Sequence, residues 1–255
     1  MVIMTRTDFW NKNCILKVVA GSHSYGMETS ESDFDYRGIC IPPASYLLGL
    51  DQFEQHETKN PDCVIYSLKK FVKLALDNNP NIIDVLFVKE EHIIHMDLFG
   101  YELRRLGDLF LSKKIYKTYG GYAYSRLKNL TEKKKNPIGN KAKLINKYGY
   151  DTKDAAHLIR LMKMAIEILR DGEVNVYRPD RKELLKIRSG EYTLEHIIEI
   201  YNQYNEILND TYKKSTLPDE PHYEIFNDWL IEVQYKFIKN EIMKEGYNHC
   251  FCNEN

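Results

Sequence analysis

Hydrophobic and polar positions follow two different periods along the first 95 residues of the chain. Three short, largely apolar runs, at residues 14–20, 35–41 and 63–66, lie next to Gly or Pro signals and predict buried strands. Residues 82–88 are almost all apolar, which predicts a fourth strand that is buried on both faces. Between residues 67 and 76 the apolar positions recur every three or four residues, which predicts a helix.

Beyond residue 95 the strand signals end and helical periodicity takes over. Residues 152–170 form the clearest helix, because a broad apolar face runs along the segment and Asp171-Gly172 ends it. Together the two halves predict an α+β protein, with a sheet domain at residues 1–95 and a helical domain at residues 96–255. The remaining segments of the second half are predicted to be helices at 96–111, 113–130, 192–208 and 223–243 and a polar loop at 133–140.

Composition adds the class of protein. The 255 residues are 43% hydrophobic, which is enough to bury the core of one large or two small domains. No run of 18 apolar residues is present, so we expect no membrane span. The N-terminus carries no apolar segment of signal-peptide length and the five cysteines are scattered. We therefore expect free thiols and a cytoplasmic protein.

The charge is unevenly distributed. The net charge of −1 argues against a polyanionic partner for the chain as a whole. Residues 112–147, however, contain eleven Lys or Arg residues and a single acid, Glu132, with tyrosines interleaved among them. Basic groups neutralise phosphates and tyrosines stack on bases, so this segment favours RNA as a partner. A solvated, lysine-rich helical face explains the same pattern without any partner, and the charge alone leaves both interpretations open.

Candidate chemistry is concentrated in residues 21–38. Gly21-Ser22 follows the first predicted strand, and a turn of this kind before a helix offers N–H groups and a hydroxyl to a phosphate. Asp33 and Asp35 are two residues apart and share one face if the backbone there is extended. Two adjacent carboxylates repel each other unless a cation lies between them, and oxygen ligands suit Mg²⁺. Arg37 shares the face of Asp35, where it could bind phosphate or offset the acidic pair.

These residues resemble the signature of the DNA polymerase beta-type nucleotidyltransferase superfamily, which is Gly-Ser, a spacer and then Asp-x-Asp. The chain is most similar to the RNA-repair-associated (RlaP/YcgL-like) branch from phages and bacteria, and the resemblance spans roughly residues 14–195. It implies an N-terminal mixed-sheet nucleotidyltransferase domain followed by a helical domain. The matching segments are Gly21-Ser22 with Gly26, residues 32–38, residues 62–71, residues 79–81 and residues 149–161.

The resemblance implies a metal-dependent enzyme that uses an NTP as substrate. Asp33 and Asp35 would bind Mg²⁺ or Mn²⁺, and Gly21 and Ser22 would hold the triphosphate. The superfamily usually has a third carboxylate on a neighbouring strand, and Asp62 matches it best in order and context. Asp62 could instead be a simple turn residue after Asn60-Pro61. Asp84 is the rival third acid.

Lys153, His157 and Arg160 recur at intervals of three and four, so they form one stripe along the helix at 152–170. A solvated helix face is the ordinary explanation of such a stripe. The resemblance implies instead that the stripe binds the triphosphate or the acceptor.

Three functions remain open at this stage. The favoured one is transfer of an NMP from an NTP to an acceptor hydroxyl on RNA, either a tRNA end or a broken RNA. The alternatives are transfer of an NMP to a protein side chain, and a catalytically silent nucleic-acid-binding or regulatory module. The intact Asp33 and Asp35 count against the silent module.

Overall fold

A computed structural model describes residues 8–30, 32–132 and 139–245. Its five-stranded sheet has the strand order β3-β4-β2-β1-β5. The strands β2 and β4 run parallel, while every other neighbouring pair is antiparallel. The mixed sheet predicted for the N-terminal part is therefore confirmed. The strands are β1 (Cys14–Ala20), β2 (Asp35–Cys40), β3 (Gln55–Lys59), β4 (Asp62–Ser67) and β5 (Ile93–Met96).

Helices accompany the sheet and then make up the rest of the described chain. Short 3₁₀ turns lie at Glu90–His92 and Gly107–Phe110. The α-helices are α1 (Phe9–Lys12), α2 (Gly21–Tyr25), α3 (Ala44–Leu47), α4 (Leu68–Leu76), α5 (Pro80–Phe87), α6 (Leu98–Arg105), α7 (Lys114–Thr131), α8 (Asn140–Tyr148), α9 (Thr152–Asp171), α10 (Arg181–Arg188), α11 (Leu194–Lys214) and α12 (Tyr223–Glu245).

The strand predicted at residues 82–88 is wrong, because this segment lies in helix α5. Asn79 caps that helix by accepting a hydrogen bond from the backbone N–H of Asn81, and Pro80 occupies its first turn. Pro at this position is preorganised for a helix. Nearly every side of α5 is buried, so a continuous apolar run carries no period that separates a helix from a strand.

Two strands were not predicted, for a related reason. The strand β3 lies at the edge of the sheet and is polar, with the sequence Gln-His-Glu-Thr-Lys. Short, charged edge strands are common because they discourage pairing with other chains, and they lack the apolar alternation that marks a strand. The strand β5 is four residues long and lies at the other edge, so it also lacks that pattern.

One continuous hydrophobic core extends from Ile15 in β1 to Val233 in α12. Helix α9 lies at the centre of the helical part, where it packs against α7, α10 and α11. The predicted boundary between residues 95 and 96 falls inside β5, and the division into two domains stays a prediction. Within the described residues, no helix is both long and apolar enough to cross a membrane.

Candidate active site

The turn from β1 into α2 brings the backbone of Gly21 against the side chain of Asp35. Gly21 has a φ of +65°, a conformation that glycine adopts without steric cost. A Cβ atom added to Gly21 would lie 1.9 Å from Oδ2 of Asp35. Two reasons therefore favour glycine at position 21: its backbone conformation, and the space that Asp35 occupies where a Cβ would lie.

Asp35 and Asp62 lie directly opposite each other on the parallel strands β2 and β4. Burial raises the pKa of Asp35 and the neighbouring Asp62 raises it further, while Arg37 and Lys153 oppose the shift. Arg37 donates a hydrogen bond from Nη1 to Oδ1 of Asp62 at 3.0 Å. The sheet register thus places two carboxylates and one guanidinium together at the start of two strands.

Asp33 precedes the strand rather than belonging to it, because β2 begins at Asp35. Strand alternation therefore does not fix the direction of Asp33 relative to Asp35. Both side chains nevertheless line the same cleft, together with Arg37. Asp62 lines an adjoining depression that shares Arg37 with the cleft.

The donor set fits a hard divalent cation. Within the described ranges, no three His, Cys, Asp or Glu side chains converge closely enough to hold a metal ion by themselves. Mg²⁺ is usually held by one or two carboxylates, with water and substrate phosphate completing its coordination. Burial is the main cause of the raised pKa of Asp35, and the charge of Asp62 adds to it; a cation between the two carboxylates would offset their repulsion.

The cleft has a volume of about 890 Å³ and separates the motif residues from helices α8, α9 and α10. Ser22 lies on its sheet side and the stripe of α9 lies on its helical side. Four lysines also line it, and none of them forms an ion pair within the part of the chain that the structure describes. These lysines are Lys143, Lys153, Lys182 and Lys186. The cleft therefore combines carboxylates on one wall with free cations on the other.

The stripe of α9 divides into two kinds of residue. Lys153 is exposed to the cleft and lowers the pKa of Asp35. Arg160, in contrast, is only 1% exposed, and its Nη1 lies 3.4 Å from Oδ2 of Asp84. Its guanidinium also stacks on the ring of Tyr25, 3.7 Å from the ring centroid. The charge of Arg160 is thus already matched by a buried acid.

Asp84 is held by this same network. Its Oδ2 accepts a hydrogen bond of 2.7 Å from the hydroxyl of Tyr25, and its Oδ1 has no partner among the described residues. Burial raises the pKa of Asp84, and Arg160 opposes that shift. The rival third acid therefore lies in a helix and faces Arg160, whereas Asp62 lies in register with Asp35.

His157 is fixed in one protonation state by its neighbour. Nη2 of Arg160 lies 3.2 Å from Nδ1 of His157, and a guanidinium can only donate. Nδ1 is therefore the acceptor, and the ring proton is assigned to Nε2. Burial and the charge of Arg160 hold the pKa of His157 well below its usual value. His157 is thus a neutral hydrogen-bond donor at the cleft.

Helix α10 contributes cleft residues that the sequence did not reveal. Lys182 and Lys186 are one turn apart and both face the cleft. Arg188 donates a hydrogen bond of 2.6 Å from Nη1 to the backbone oxygen of Met27, which ties α10 to the motif segment. The sequence offered one indication of a role for these residues: Lys182 and Lys186 carry like charges four residues apart, a spacing that destabilises an isolated helix.

The basic segment 112–147 is largely paired where it is described. Acids from other parts of the chain or from the segment itself neutralise five of its cations, while Lys133, Lys134 and Lys135 lie outside the described residues. The expected RNA contact through this segment stays a prediction. The pairs are Lys113 with Asp219, Lys114 with Glu220, Arg126 with Asp154, Lys128 with Glu132, and Lys141 with Asp151 and Asp154.

Comparison with known proteins identifies the family. Residues 5–232 match RlaP, described as the RNA repair pathway DNA polymerase beta family. The chain belongs to this family. The resemblance inferred from residues 21–38 is thereby confirmed. The family description places this RlaP-family chain among polymerase-beta-type proteins.

Two individual proteins are also similar. An uncharacterized 38.9 kDa protein of Enterobacteria phage T4, from the nrdC-mobD intergenic region, is 36% identical over 96 residues. The match covers 33% of this chain and 28% of the phage protein, so the chain matches less than a third of that relative. A nucleotidyltransferase-like protein from Exiguobacterium sibiricum is 14% identical, with 95% of this chain and 90% of that one covered, at a TM-score of 0.30. A likeness of that extent carries no weight here.

Proposed function

We propose that this RlaP-family protein transfers an NMP from an NTP to a hydroxyl group on RNA, with Mg²⁺ or Mn²⁺ as the required ion. One observation carries the proposal: the register that sets Asp35 against Asp62, beside the glycine whose missing Cβ makes room for Asp35. Asp35 lines a cleft that also contains four lysines with no ion pair among the described residues, and Asp62 lines the depression beside it. Carboxylates for a metal opposite cations for phosphates are the arrangement that phosphoryl chemistry requires.

The chain's own residues have separate tasks in this reaction. Asp35 and Asp62, with the exposed Asp33, would hold the metal ion. When bound, the ion would neutralise charge on the transferring phosphate and lower the pKa of the attacking hydroxyl, whose proton would pass to a carboxylate or to water as pyrophosphate leaves. Ser22 and Lys153 would bind the triphosphate, and Arg37 would offset the acids or contact a phosphate; all three line the cleft, which supports these roles.

His157 and Arg160 act differently from Lys153. Arg160 positions His157 by donating to its Nδ1, and His157 then presents Nε2–H to a phosphate oxygen or a base. Because the pKa of His157 is well below its usual value, the imidazole donates a hydrogen bond without carrying charge at neutral pH. We assign Arg160 as a positioning residue, since its charge is held by Asp84.

RNA is the acceptor we favour because four lysines with no ion pair among the described residues line the helical wall of the cleft. An open cationic surface suits a polyanion better than it suits a protein side chain. The family description, with its RNA repair pathway, points in the same direction.

The experiment compares transfer of an α-labelled NMP by the wild type and by four single variants. Asp33→Asn, Asp35→Asn and Asp62→Asn should lose transfer, because each removes a ligand charge, while the NTP still binds. Asp228→Asn serves as the matched control, since Asp228 is exposed and lies outside the cleft lining. Full transfer by Asp35→Asn would refute the metal assignment. Loss of transfer in Asp33→Asn and Asp35→Asn with full activity in Asp62→Asn would remove Asp62 as the third acid.

A further inference from the structure

We propose that Lys143, Lys182 and Lys186 form a binding site for the phosphodiester backbone of a single-stranded nucleic acid, distinct from the contacts to the NTP. We call these three residues the α8/α10 wall. The inference rests on the proposed function, because it supplies the path by which the acceptor strand reaches the reacting end. It assigns a task to two lysines of α10 that the sequence patterns did not single out.

The α8/α10 wall is built from two helices that both pack against α9 and both line the cleft. Lys143 belongs to α8, while Lys182 and Lys186 lie on successive turns of α10. All three side chains are exposed and line the cleft. Residues four apart on a helix lie side by side, so the two lysines of α10 repel each other when nothing lies between them. A bound phosphate would relieve that repulsion.

Two acids at α10 already form ion pairs with a cation outside the α8/α10 wall. Glu183 and Asp180 both pair with Lys163, at 2.5 Å and 2.9 Å respectively. Lys163 lies in α9; burial lowers its pKa, but the hydrogen bonds to Glu183 and Asp180 outweigh burial and leave the pKa raised. Glu191, just beyond α10, also lines the cleft and accepts a hydrogen bond of 3.1 Å from the neutral hydroxyl of Ser189. Three lysines outweigh this one carboxylate, so the α8/α10 wall has a net positive charge.

The proposed function assigns a different set of contacts to the NTP. Ser22 and Lys153 line the cleft together with Asp35, and they are the residues assigned there to the triphosphate. The cleft of about 890 Å³ lies near the upper end of the range for small-molecule sites, roughly 300–1,000 Å³. A cleft of this size has room for a second ligand beside the NTP.

The test measures binding without chemistry, using the full-length chain. Lys182→Ala/Lys186→Ala is compared with the wild type for three probes: a labelled single-stranded RNA of about 12 nucleotides, the DNA of the same sequence, and a fluorescent NTP. The matched control is Lys214→Ala/Lys239→Ala, which removes two exposed lysines of other helices that do not line the cleft. Thermal unfolding checks that each variant folds, and Lys182→Gln/Lys186→Gln replaces the first variant if it does not.

The α8/α10 wall predicts that both oligonucleotides bind roughly tenfold more weakly to the variant near physiological salt, because two phosphate contacts are lost. The slope of log affinity against log salt should fall by about 1 to 1.5. Affinity for the NTP should not change, and the control should behave as the wild type.

Four outcomes would overturn the proposal. Weaker NTP binding with unchanged oligonucleotide binding would make these lysines triphosphate contacts. No change with any probe would make them solvated surface residues. A loss confined to RNA would place the contact on the 2′-hydroxyl instead of the phosphate. A wild type that transfers an NMP but binds neither oligonucleotide would reject the wall while leaving the nucleotidyl transfer itself intact.

Discussion

Replacing Gly21 with alanine tests whether the close approach of Asp35 to the β1–α2 turn matters for activity. The new Cβ would lie 1.9 Å from Oδ2 of Asp35, so the carboxylate must retreat. The retreat needed is about 1 Å or more, and a misplacement of that size can lower a rate about 100-fold. The alanine must also adopt a φ of +65°, which costs an L-residue about 1–2 kcal/mol.

Gly172→Ala separates these two effects. Gly172 ends α9 with a φ of +73°, and a Cβ added there would meet no atom within 4 Å. This variant therefore has the backbone cost alone, which should lower the melting temperature by about 2–8 °C in a protein of this size. We expect Gly172→Ala to keep its transfer activity and Gly21→Ala to lose about 100-fold.

The assay is single-turnover transfer from an α-labelled NTP, measured well below the melting temperature of both variants. Thermal unfolding of the two variants is recorded in parallel, so that a folding defect is not mistaken for a catalytic one. Equal activity in Gly21→Ala and Gly172→Ala would refute the view that Asp35 must occupy the space beside Gly21.

Two further predictions concern the buried network of α9. Asp84→Asn leaves the charge of Arg160 without its partner, so the free energy of unfolding should fall by about 3–5 kcal/mol. Chemical denaturation measures this loss, and a loss below about 1 kcal/mol would contradict a structural ion pair. His157 has a lowered pKa in the folded state, so the unfolded chain takes up a proton near pH 6.5 that the folded chain does not. Stability should therefore fall as the pH drops below about 6.5, and His157→Gln should flatten that fall; an unchanged pH dependence would show that His157 titrates normally.

The sequence predicted those elements that carry a clear local signal. The strands β1, β2 and β4 match apolar runs beside Gly or Pro, and the helices α4, α7, α9, α11 and α12 match segments with helical periodicity. Helix α5 failed because burial on nearly all sides removes the period, and β3 failed because an exposed edge has no apolar side. Periodicity reports burial on one face, so elements with no such face escape it.

The candidate site shows the same division between local and tertiary information. Gly21, Asp33 and Asp35 lie within one segment, so a spacing in the sequence was sufficient to find them. The spacing along α9 was sufficient to predict that its basic residues form one stripe. It could not show which of them is paired, because only the fold brings Asp84 against Arg160 and leaves Lys153 without an ion pair among the described residues. Lys182 and Lys186 belong to an ordinary amphipathic helix, and their place in the cleft follows from how α10 packs against α9.

The central claim is that Asp35 and its neighbours transfer a nucleotide to RNA, and one incubation tests it most directly. Wild type and Asp35→Asn are each mixed with total RNA, Mg²⁺ or Mn²⁺ and each α-labelled NTP in turn, and the macromolecular product is digested with nuclease or with protease. The account predicts label that appears only with the wild type, that nuclease releases and that protease leaves in place. Label that resists nuclease and yields to protease would contradict RNA as the acceptor, and equal labelling by Asp35→Asn would contradict the active site itself.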